Sequence, residues 1–385
     1  MQQKQISSSA FTDTKPHYEL LDGLRGVAAL LVIWYHVYEG FAFAGGGLIE
    51  TLNHGYLAVD FFFILSGFVI GYAYDDRWQS TLTLKGFFKR RLIRLHPMVI
   101  MGAVIGAITF CIQGSVQWDG THIATSMTML AMLCAMFFIP AIPGNSCYEV
   151  RGNGEMFPLN GPSWSLFFEY IGNILYALFI RKFSTTVLTI LVIALACTHA
   201  WFASFNISQY GSIGVGWTLD TINFWGGLLR MLYPFTMGLL ISRIFKPIKI
   251  AGAFWICTLV LAALFSIPYL NENNGIHING IYETVCVTFV FPILLWIGAS
   301  GKTTDKHSSI ICKFLGDISY PVYMIHYPIM YLFYAWLIDN KLYTLGATWH
   351  VVIPMYLGIV LLAHLCLKLY DEPLRKYLMK KFFKK

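Results

Sequence analysis

Long apolar runs, separated by short polar segments, make up most of this chain of 385 residues. Each run is close to the roughly 20 residues that a helix needs to cross a bilayer. We therefore predict an all-α fold, that of a polytopic membrane protein with about ten transmembrane helices. The predicted spans are residues 20–40, 55–75, 97–115, 162–181, 185–204, 220–242, 250–269, 279–299, 313–337 and 349–370.

Clusters of Lys and Arg between the apolar runs set their orientation, because cytoplasmic loops carry an excess of these residues. Ten spans place every cluster on one side and leave both termini in the cytoplasm. A further run at 122–141 is long enough to cross, but as an eleventh span it would move all later clusters outside. We predict that it is a re-entrant or interfacial segment. The clusters lie at 85–94, 181–182, 243–249, 302–313 and 375–385.

The composition agrees with an integral membrane protein. Hydrophobic residues make up 57% of the chain and charged residues only 12%, against about 25% charged residues in soluble domains. The net charge of +7 comes from the orientation clusters, so it does not indicate binding of nucleic acid. The eight cysteines have no spacing typical of zinc sites or disulfide frameworks, and we predict no metal.

The chain divides into one large domain and two tails. We predict a disordered cytoplasmic tail at 1–18, a membrane domain at 19–375 and a basic cytoplasmic tail at 376–385. No small-residue cleavage site precedes the first span, so we expect this span to be retained rather than removed as a signal peptide.

Three charged or titratable residues interrupt the first two spans: Arg25, His36 and Asp60. A charge at the bilayer centre costs about 2.5 to 3.5 kcal/mol, so such residues usually face a protein interior or a wet cavity. Arg25 and His36 share a helix face, and His36 and Asp60 lie at similar depths near the outer side. We hypothesise that His36 is a general base, oriented by Asp60. The alternative is a histidine that only joins helices.

A cationic segment, KGFFKRRLIRLHP, follows at 85–97. Arg91 and Arg94 are one helical turn apart, with Arg90 beside them, and guanidinium groups bind phosphate bidentately. The segment predicts a cytoplasmic clamp for a nucleotide-bearing donor. An ordinary orientation cluster, or a contact with anionic lipid, is the alternative.

Another polar group lies in GPSWSLFFEY, residues 161–170. Ser165 and Glu169 are four residues apart and share a helix face. An intramembrane carboxylate needs a partner, and Arg230 is the candidate. With Trp164, these residues predict a wall of the substrate cavity, or else a structural ion pair.

The last polar group lies in ISYPVYMIHYP, residues 318–328. Ser319, Tyr323 and His326 form a polar stripe on one face of an apolar helix, and the two prolines are expected to kink it. The stripe predicts contact with the thioester arm of an acyl donor, or simple joining of helices.

Taken in order, these motifs resemble the acyltransferase 3 family of membrane-bound acyltransferases. LDGLRGVAALLVIWYH resembles its opening signature, with Arg25 and His36 separated by ten residues. VDFFFILSGF, with Asp60, resembles its second-helix motif, and RRLIRLHP, with Arg91 and Arg94, resembles its arginine motif. Three further segments, WSLFFE, SYPVYMIHYP and DEP, resemble its later signatures.

The resemblance implies an enzyme that moves an acyl group, most often acetyl, from cytoplasmic acyl-CoA to a hydroxyl of an extracytoplasmic carbohydrate or glycolipid. It further implies the inner or plasma membrane of a bacterium, and partners among envelope or polysaccharide biosynthesis proteins. Some members carry a C-terminal esterase-like domain, which we expect to be absent here. Residues expected along the path of the donor to His36 are Arg90, Arg91, Arg94, Arg25, Ser319, Tyr323 and His326.

Three other functions remain open from the sequence. A secondary transporter or polysaccharide flippase would also use buried Arg, His and Asp, although the chain lacks the internal repeat of many transporters. A non-catalytic membrane partner of a polysaccharide synthase is a second possibility. A third is O-acylation of a small molecule rather than a glycan.

Overall fold

The computed structural model describes residues 17–45, 52–144, 149–270, 277–301 and 306–383. Within these ranges the chain forms helices, short turns and three isolated β-bridges. The α-helices are α1 (Glu19–Ala44), α2 (Ala58–Tyr74), α3 (Leu84–Ile112), α4 (Thr125–Met136), α5 (Ser163–Leu178), α6 (Thr185–Ser204), α7 (Thr221–Ile244), α8 (Ala253–Ser266), α9 (Ile278–Val285), α10 (Phe291–Ser300), α11 (Lys306–Asn340), α12 (Leu345–Cys366) and α13 (Glu372–Phe383). π-helical turns join α9 to α10 and α12 to α13.

Eight helical segments in the described ranges are long and apolar enough to cross a membrane. They contain α1, α2, α3, α5, α6 and α7, the continuous α9–α10 segment and the continuous α12–α13 segment. The predicted all-α, multi-pass membrane fold is therefore confirmed. The count of ten spans and the cytoplasmic termini stay predictions.

Helices α3 and α4 refine the boundaries predicted from the sequence. Helix α3 begins at Leu84 rather than at 97, because the side chain of Thr83 accepts a hydrogen bond from the Gly86 N–H and caps the helix. The arginine cluster therefore lies inside α3. Helix α4, in the run at 122–141, has 12 residues and is about 18 Å long. That is less than the bilayer core of about 30 Å, as expected of an interfacial or re-entrant segment.

Glycines allow two pairs of helices to pack backbone to backbone. A Cβ atom at Gly26 of α1 would lie 2.3 Å from the carbonyl oxygen of Leu315 in α11. A Cβ atom at Gly67 of α2 would lie 2.0 Å from that of Phe235 in α7. Small residues are typical of such close contacts in membranes. The packing turns the polar side chains of α1 towards α11, and those of α2 towards α7.

Two long loops are bonded to each other beside the first turns of α5 and α7. The described parts of the first loop are 137–144 and 149–162, and the second loop is 205–220. The Met156 N–H donates to the carbonyl oxygen of Trp217 at 2.8 Å, and the Ala141 N–H donates to that of Met156 at 2.8 Å. A small apolar cluster, which includes Phe110, Val150 and Leu159, anchors the first loop on α3. The described parts of both loops contribute residues to the lining of one interior cavity, described below.

The structure describes most of the predicted C-terminal tail but only the last two residues of the predicted N-terminal tail. Residues 1–16 lie outside the described ranges, so their predicted disorder stays a prediction. The predicted basic tail at 376–385 continues α13 as helix through Phe383. It packs on the start of α3, where Lys89 lies 5.1 Å from the ring centre of Phe382 and Arg90 lies 4.6 Å from that of Phe383.

Candidate active site

A cavity of ≈ 280 Å³ lies where α1, α2, α5, α7 and α11 meet beneath the two loops. Most of its wall is aromatic, with a few polar side chains. Of the residues predicted for the site, His36, Trp164, Arg230 and Tyr323 line it. Its other notable wall residues are Glu39, Asn153, Glu155, Trp118, Trp217, Tyr327, Tyr331 and Tyr334.

His36 is paired with a carboxylate of its own helix. Its Nδ1 lies 2.6 Å from Oε2 of Glu39, three residues along α1. The Glu39 carboxylate also accepts hydrogen bonds from the hydroxyls of Tyr334 at 2.8 Å, Tyr327 at 3.2 Å and Tyr35 at 3.3 Å. The tyrosines hold the carboxylate in place, and the carboxylate in turn fixes the orientation of the imidazole.

The other ring nitrogen of His36, Nε2, has no hydrogen-bond partner among the described residues, and the ring borders the cavity. A carboxylate at Nδ1 favours the tautomer that carries its proton there, which leaves a lone pair on Nε2. A general base needs this arrangement. The sequence analysis missed Glu39, although its i,i+3 spacing from His36 places both residues on one face.

Asp60 does not orient His36, so that prediction is wrong. Its carboxylate pairs with Arg230, whose Nη2 and Nε donate to its two oxygens at 2.6 and 3.1 Å. The same guanidinium donates to the carbonyl oxygens of Val215 at 2.9 Å and Tyr56 at 3.3 Å. The reason is the close packing of α2 on α7, which directs Asp60 away from α1. Such a partner offsets the cost of burying an ionised carboxylate.

The predicted Glu169–Arg230 pair is also wrong. Oε1 of Glu169 accepts hydrogen bonds from Nη2 of Arg91 and from the hydroxyl of Ser66, both at 2.7 Å. Helix α5 begins at the level of the cavity, so Glu169 is carried down to the arginine segment of α3. Arg91 therefore forms an ion pair inside the protein. Half-buried Arg94 makes no ion pair with any described residue.

The polar stripe on α11 is hydrogen-bonded to two other helices, α1 and α5. The Arg25 Nε donates to the hydroxyl of Ser319 at 2.9 Å, and its Nη2 lies 2.9 Å from Oδ1 of Asp22. The hydroxyls of Tyr323 and Ser165 lie 2.6 Å apart. These bonds join helices, which is one of the two roles that the sequence left open for the stripe; contact with an acyl donor stays a prediction.

The residues expected along the path of the donor do not all line the cavity. Tyr323 lines the cavity, but Arg25, Ser319 and His326 do not. The Tyr323 side chain at the cavity wall is hydrogen-bonded to Ser165, and Ser319, the partner of Arg25, lies one turn from Tyr323 on α11. The His326 ring centre is 5.2 Å from that of His36. Its Nδ1 lies 2.8 Å from the carbonyl oxygen of Tyr323, and its buried Nε2 has no partner among the described residues.

Sequence reasoning also missed Glu155 in the first loop and the tyrosines of α11. The Tyr331 hydroxyl donates to the Glu155 carboxylate. Burial raises the pKa of Glu155 to about 7, against the opposing effects of Tyr331 and Arg151. Tyr327, Tyr331 and Tyr334 follow helical spacing, which could have revealed them. A loop carboxylate carries no such periodic signal.

No group of three His, Cys, Asp or Glu side chains that could hold a metal ion occurs in the part of the chain that the structure describes. The side chains at the cavity that can exchange protons are the imidazole, the carboxylates and the phenols that line it.

Comparison with known proteins identifies the class. A family model described as an acyltransferase domain matches residues 18–368. The match covers nearly the whole chain, so the protein belongs to this acyltransferase family, as its motifs predicted.

Three bacterial relatives are similar over parts of their length. Protein 2 in the picA locus of Rhizobium radiobacter is 34% identical over 184 residues, 46% of this chain and 89% of that protein. A Staphylococcus aureus (strain COL) protein, whose name assigns it provisionally as an O-acetyltransferase, is 24% identical over 389 residues, 92% of this chain. The acyltransferase MdmB of Streptomyces mycarofaciens is 25% identical over 334 residues, 80% of this chain and 78% of that protein.

The chain spans 57% of the length of the staphylococcal relative. No solved structure matches the chain. The family and the names of the relatives confirm the predicted class of enzyme, an O-acyltransferase held in the membrane by several helices.

Proposed function

We propose that this protein transfers an acyl group, preferably acetyl, from acyl-CoA on the cytoplasmic side to a hydroxyl of an extracytoplasmic carbohydrate or glycolipid. The name of the staphylococcal relative supports acetyl as the group and oxygen as its destination. The bacterial sources of the three relatives support the cytoplasmic membrane of a bacterium as the location.

The observation that carries this proposal is the His36–Glu39 pair at the cavity wall. Nε2 of His36 takes the proton of the acceptor hydroxyl while the oxygen attacks the thioester carbonyl. The new C–O bond forms, the C–S bond breaks, and the proton passes to the sulfur of CoA. Glu39 stabilises the imidazolium that forms between these events. A general base of this kind contributes about 10²- to 10⁴-fold. Transient acylation of His36 would use the same two residues.

The donor would bind at the opposite end of α11 from the cavity. CoA carries phosphates, and of Arg91 and Arg94 it is Arg94 that forms no ion pair with a described carboxylate, whereas Arg90 lies over the ring of Phe383. Arg25 lies near Arg94 and is bonded to Ser319, one turn of α11 from the cavity residue Tyr323. An acyl group that passes along this face of α11 to His36 would require the Tyr323–Ser165 hydrogen bond to open.

The acceptor would occupy the cavity itself. A volume of ≈ 280 Å³ lies just below the range of about 300 to 1,000 Å³ typical of drug-sized ligands. It favours a single ring rather than a long oligomer inside the cavity. Trp118, Trp164 and Trp217 offer flat apolar faces to such a ring. These features suit one sugar unit, and they also accommodate a small-molecule alcohol.

Sealed inside-out vesicles that contain the full-length protein test the proposal. Radiolabelled acetyl-CoA is supplied to the exposed cytoplasmic face, and methyl hexopyranosides are trapped in the lumen. We expect release of the CoA thiol together with label on the trapped sugar. A transporter would move the sugar without releasing CoA. Transfer that requires both substrates on the same side would contradict the proposed sidedness.

A further inference from the structure

We propose that Glu155 selects and orients the acceptor, by accepting a hydrogen bond from a second hydroxyl while His36 acts on the first. The preferred acceptor is then a molecule with at least two hydroxyls, spaced to reach both residues. This inference rests on the proposed function, and it assigns a role to a residue outside every motif of the sequence.

Glu155 is a buried carboxylate at the cavity wall, and a role in folding alone does not explain this position. Its side chain lines the cavity beside Asn153, and the residue is only 6% exposed. No Lys or Arg among the described residues forms an ion pair with it. The nearby Arg151 instead donates to the carbonyl oxygen of Pro158 at 2.6 Å and to Oε1 of Gln113 at 2.8 Å. A buried carboxylate without a cation is costly, so a bound ligand that donates hydrogen bonds is its natural partner.

The surrounding contacts hold this carboxylate still. Tyr331 donates its hydroxyl to Glu155, and the guanidinium carbon of Arg151 lies 3.5 Å from the centre of the Tyr331 ring. Next along the loop, the Met156 N–H donates to Trp217 of the second loop. A carboxylate fixed in this way is pre-organised for a ligand, which saves the cost of ordering it on binding.

The tyrosines of α11 separate the two carboxylates of the cavity. Tyr327 and Tyr334 donate to Glu39, whereas Tyr331 donates to Glu155. The Glu39 carboxylate therefore orients His36, whereas the Glu155 carboxylate belongs to the loop and is bonded to Tyr331. His36 and Glu155 line the same cavity, so an acceptor with one hydroxyl at His36 can present a second hydroxyl to Glu155.

The charge state of Glu155 gives the inference a second observable. The groups that face it are Arg151 from its own loop, Glu39 from α1, and Tyr327 and Tyr331 from α11. Because its pKa is raised to about 7, the carboxylate is charged above neutral pH and protonated below it. Acceptor binding should therefore strengthen as the pH rises through about 7.

The test compares wild-type protein with Glu155→Gln in full-length, reconstituted form. The acceptors are cyclohexanol, which has one hydroxyl, and methyl hexopyranosides, which have several. A hydrogen bond to a charged group is lost in the variant, so its KM for the glycoside should rise about 10- to 100-fold, with little change in the KM for acetyl-CoA. The preference for glycoside over cyclohexanol should fall by a similar factor.

Glu149→Gln is the matched control. Glu149 belongs to the same loop, accepts a hydrogen bond from the Gly154 N–H at 2.8 Å and does not line the cavity. An unchanged glycoside KM in folded Glu155→Gln would overturn the inference. So would a wild-type glycoside KM that does not fall as the pH rises through about 7, a result that needs no variant. Absence of any CoA release by the wild type would instead contradict the proposed function.

Discussion

The carboxylate of Glu39 lies 2.6 Å from Nδ1 of His36, almost one turn further along α1. This pairing depends on the geometry of a single helix, and α11 then secures it from outside through Tyr327 and Tyr334. The orienting group for the proposed base is thus local in sequence, whereas the groups that fix the orienting group come from nearly 300 residues away.

Glu39→Gln should lower kcat by about 10²-fold or more, because the amide no longer fixes the tautomer of His36 or stabilises its cation. Binding of acetyl-CoA should change little. Initial rates of label transfer, per amount of folded protein, measure the effect. Glu19→Gln, an exposed carboxylate at the start of the same helix, is the control. A Glu39→Gln rate within a few-fold of the wild type would show that His36 is not oriented in this way.

Asp60→Asn should act mainly on stability. It leaves the Arg230 guanidinium buried beside a neutral amide, and breaking a buried pair costs about 3 to 5 kcal/mol. We expect a clear fall in the Tm of the detergent-solubilised protein. Replacing both residues, with Asp60→Asn and Arg230→Met, should recover part of the loss.

Activity separates this role from catalysis. Asp60→Asn protein that remains folded should transfer label at a rate close to that of the wild type. If the Asp60→Asn protein has a normal Tm but no activity, Asp60 takes part in catalysis.

The two arginines of the predicted clamp should behave differently. Arg94→Ala should raise the KM for acetyl-CoA by about tenfold or more, because a charge-assisted phosphate contact is lost. Arg94→Lys should recover only part of it, since lysine lacks the fork of guanidinium donors. Arg91→Ala should instead resemble Glu169→Gln, with reduced stability as the main effect.

Arg181→Ala provides the control for the arginine variants. Arg181 belongs to another predicted cytoplasmic cluster and lies over the ring of Trp78, 4.0 Å from its centre. It should leave the KM for acetyl-CoA unchanged. Equal rises in KM for Arg94→Ala and Arg181→Ala would mean that the cations act through general surface charge and not through a specific site.

The helices could be predicted from the sequence because the bilayer imposes a simple rule. Backbone polar groups must be satisfied inside each span, so apolar runs of sufficient length become helices. The stripe of Ser319, Tyr323 and His326 could also be predicted, because helical spacing alone places those residues on one face.

The partners of the buried charges could not be predicted in the same way. Depth in the membrane placed His36 and Asp60 at one level, but it does not say which neighbouring helix each side chain faces. That direction depends on close contacts such as the one between Gly67 and Phe235, which turns Asp60 towards Arg230. Glu155 lies in an irregular loop, whose position follows from its bonds to other loops and not from any periodic pattern.

The most direct test of the account is the initial rate of acetyl transfer from radiolabelled acetyl-CoA by reconstituted His36→Ala protein. The imidazole borders the cavity, and among the described residues its hydrogen bond is to Glu39, so its removal should leave insertion and Tm nearly unchanged. We expect a fall in kcat of at least about 10²-fold, since general-base catalysis by His36 is lost. A folded His36→Ala protein that transfers acetyl at the wild-type rate would contradict it.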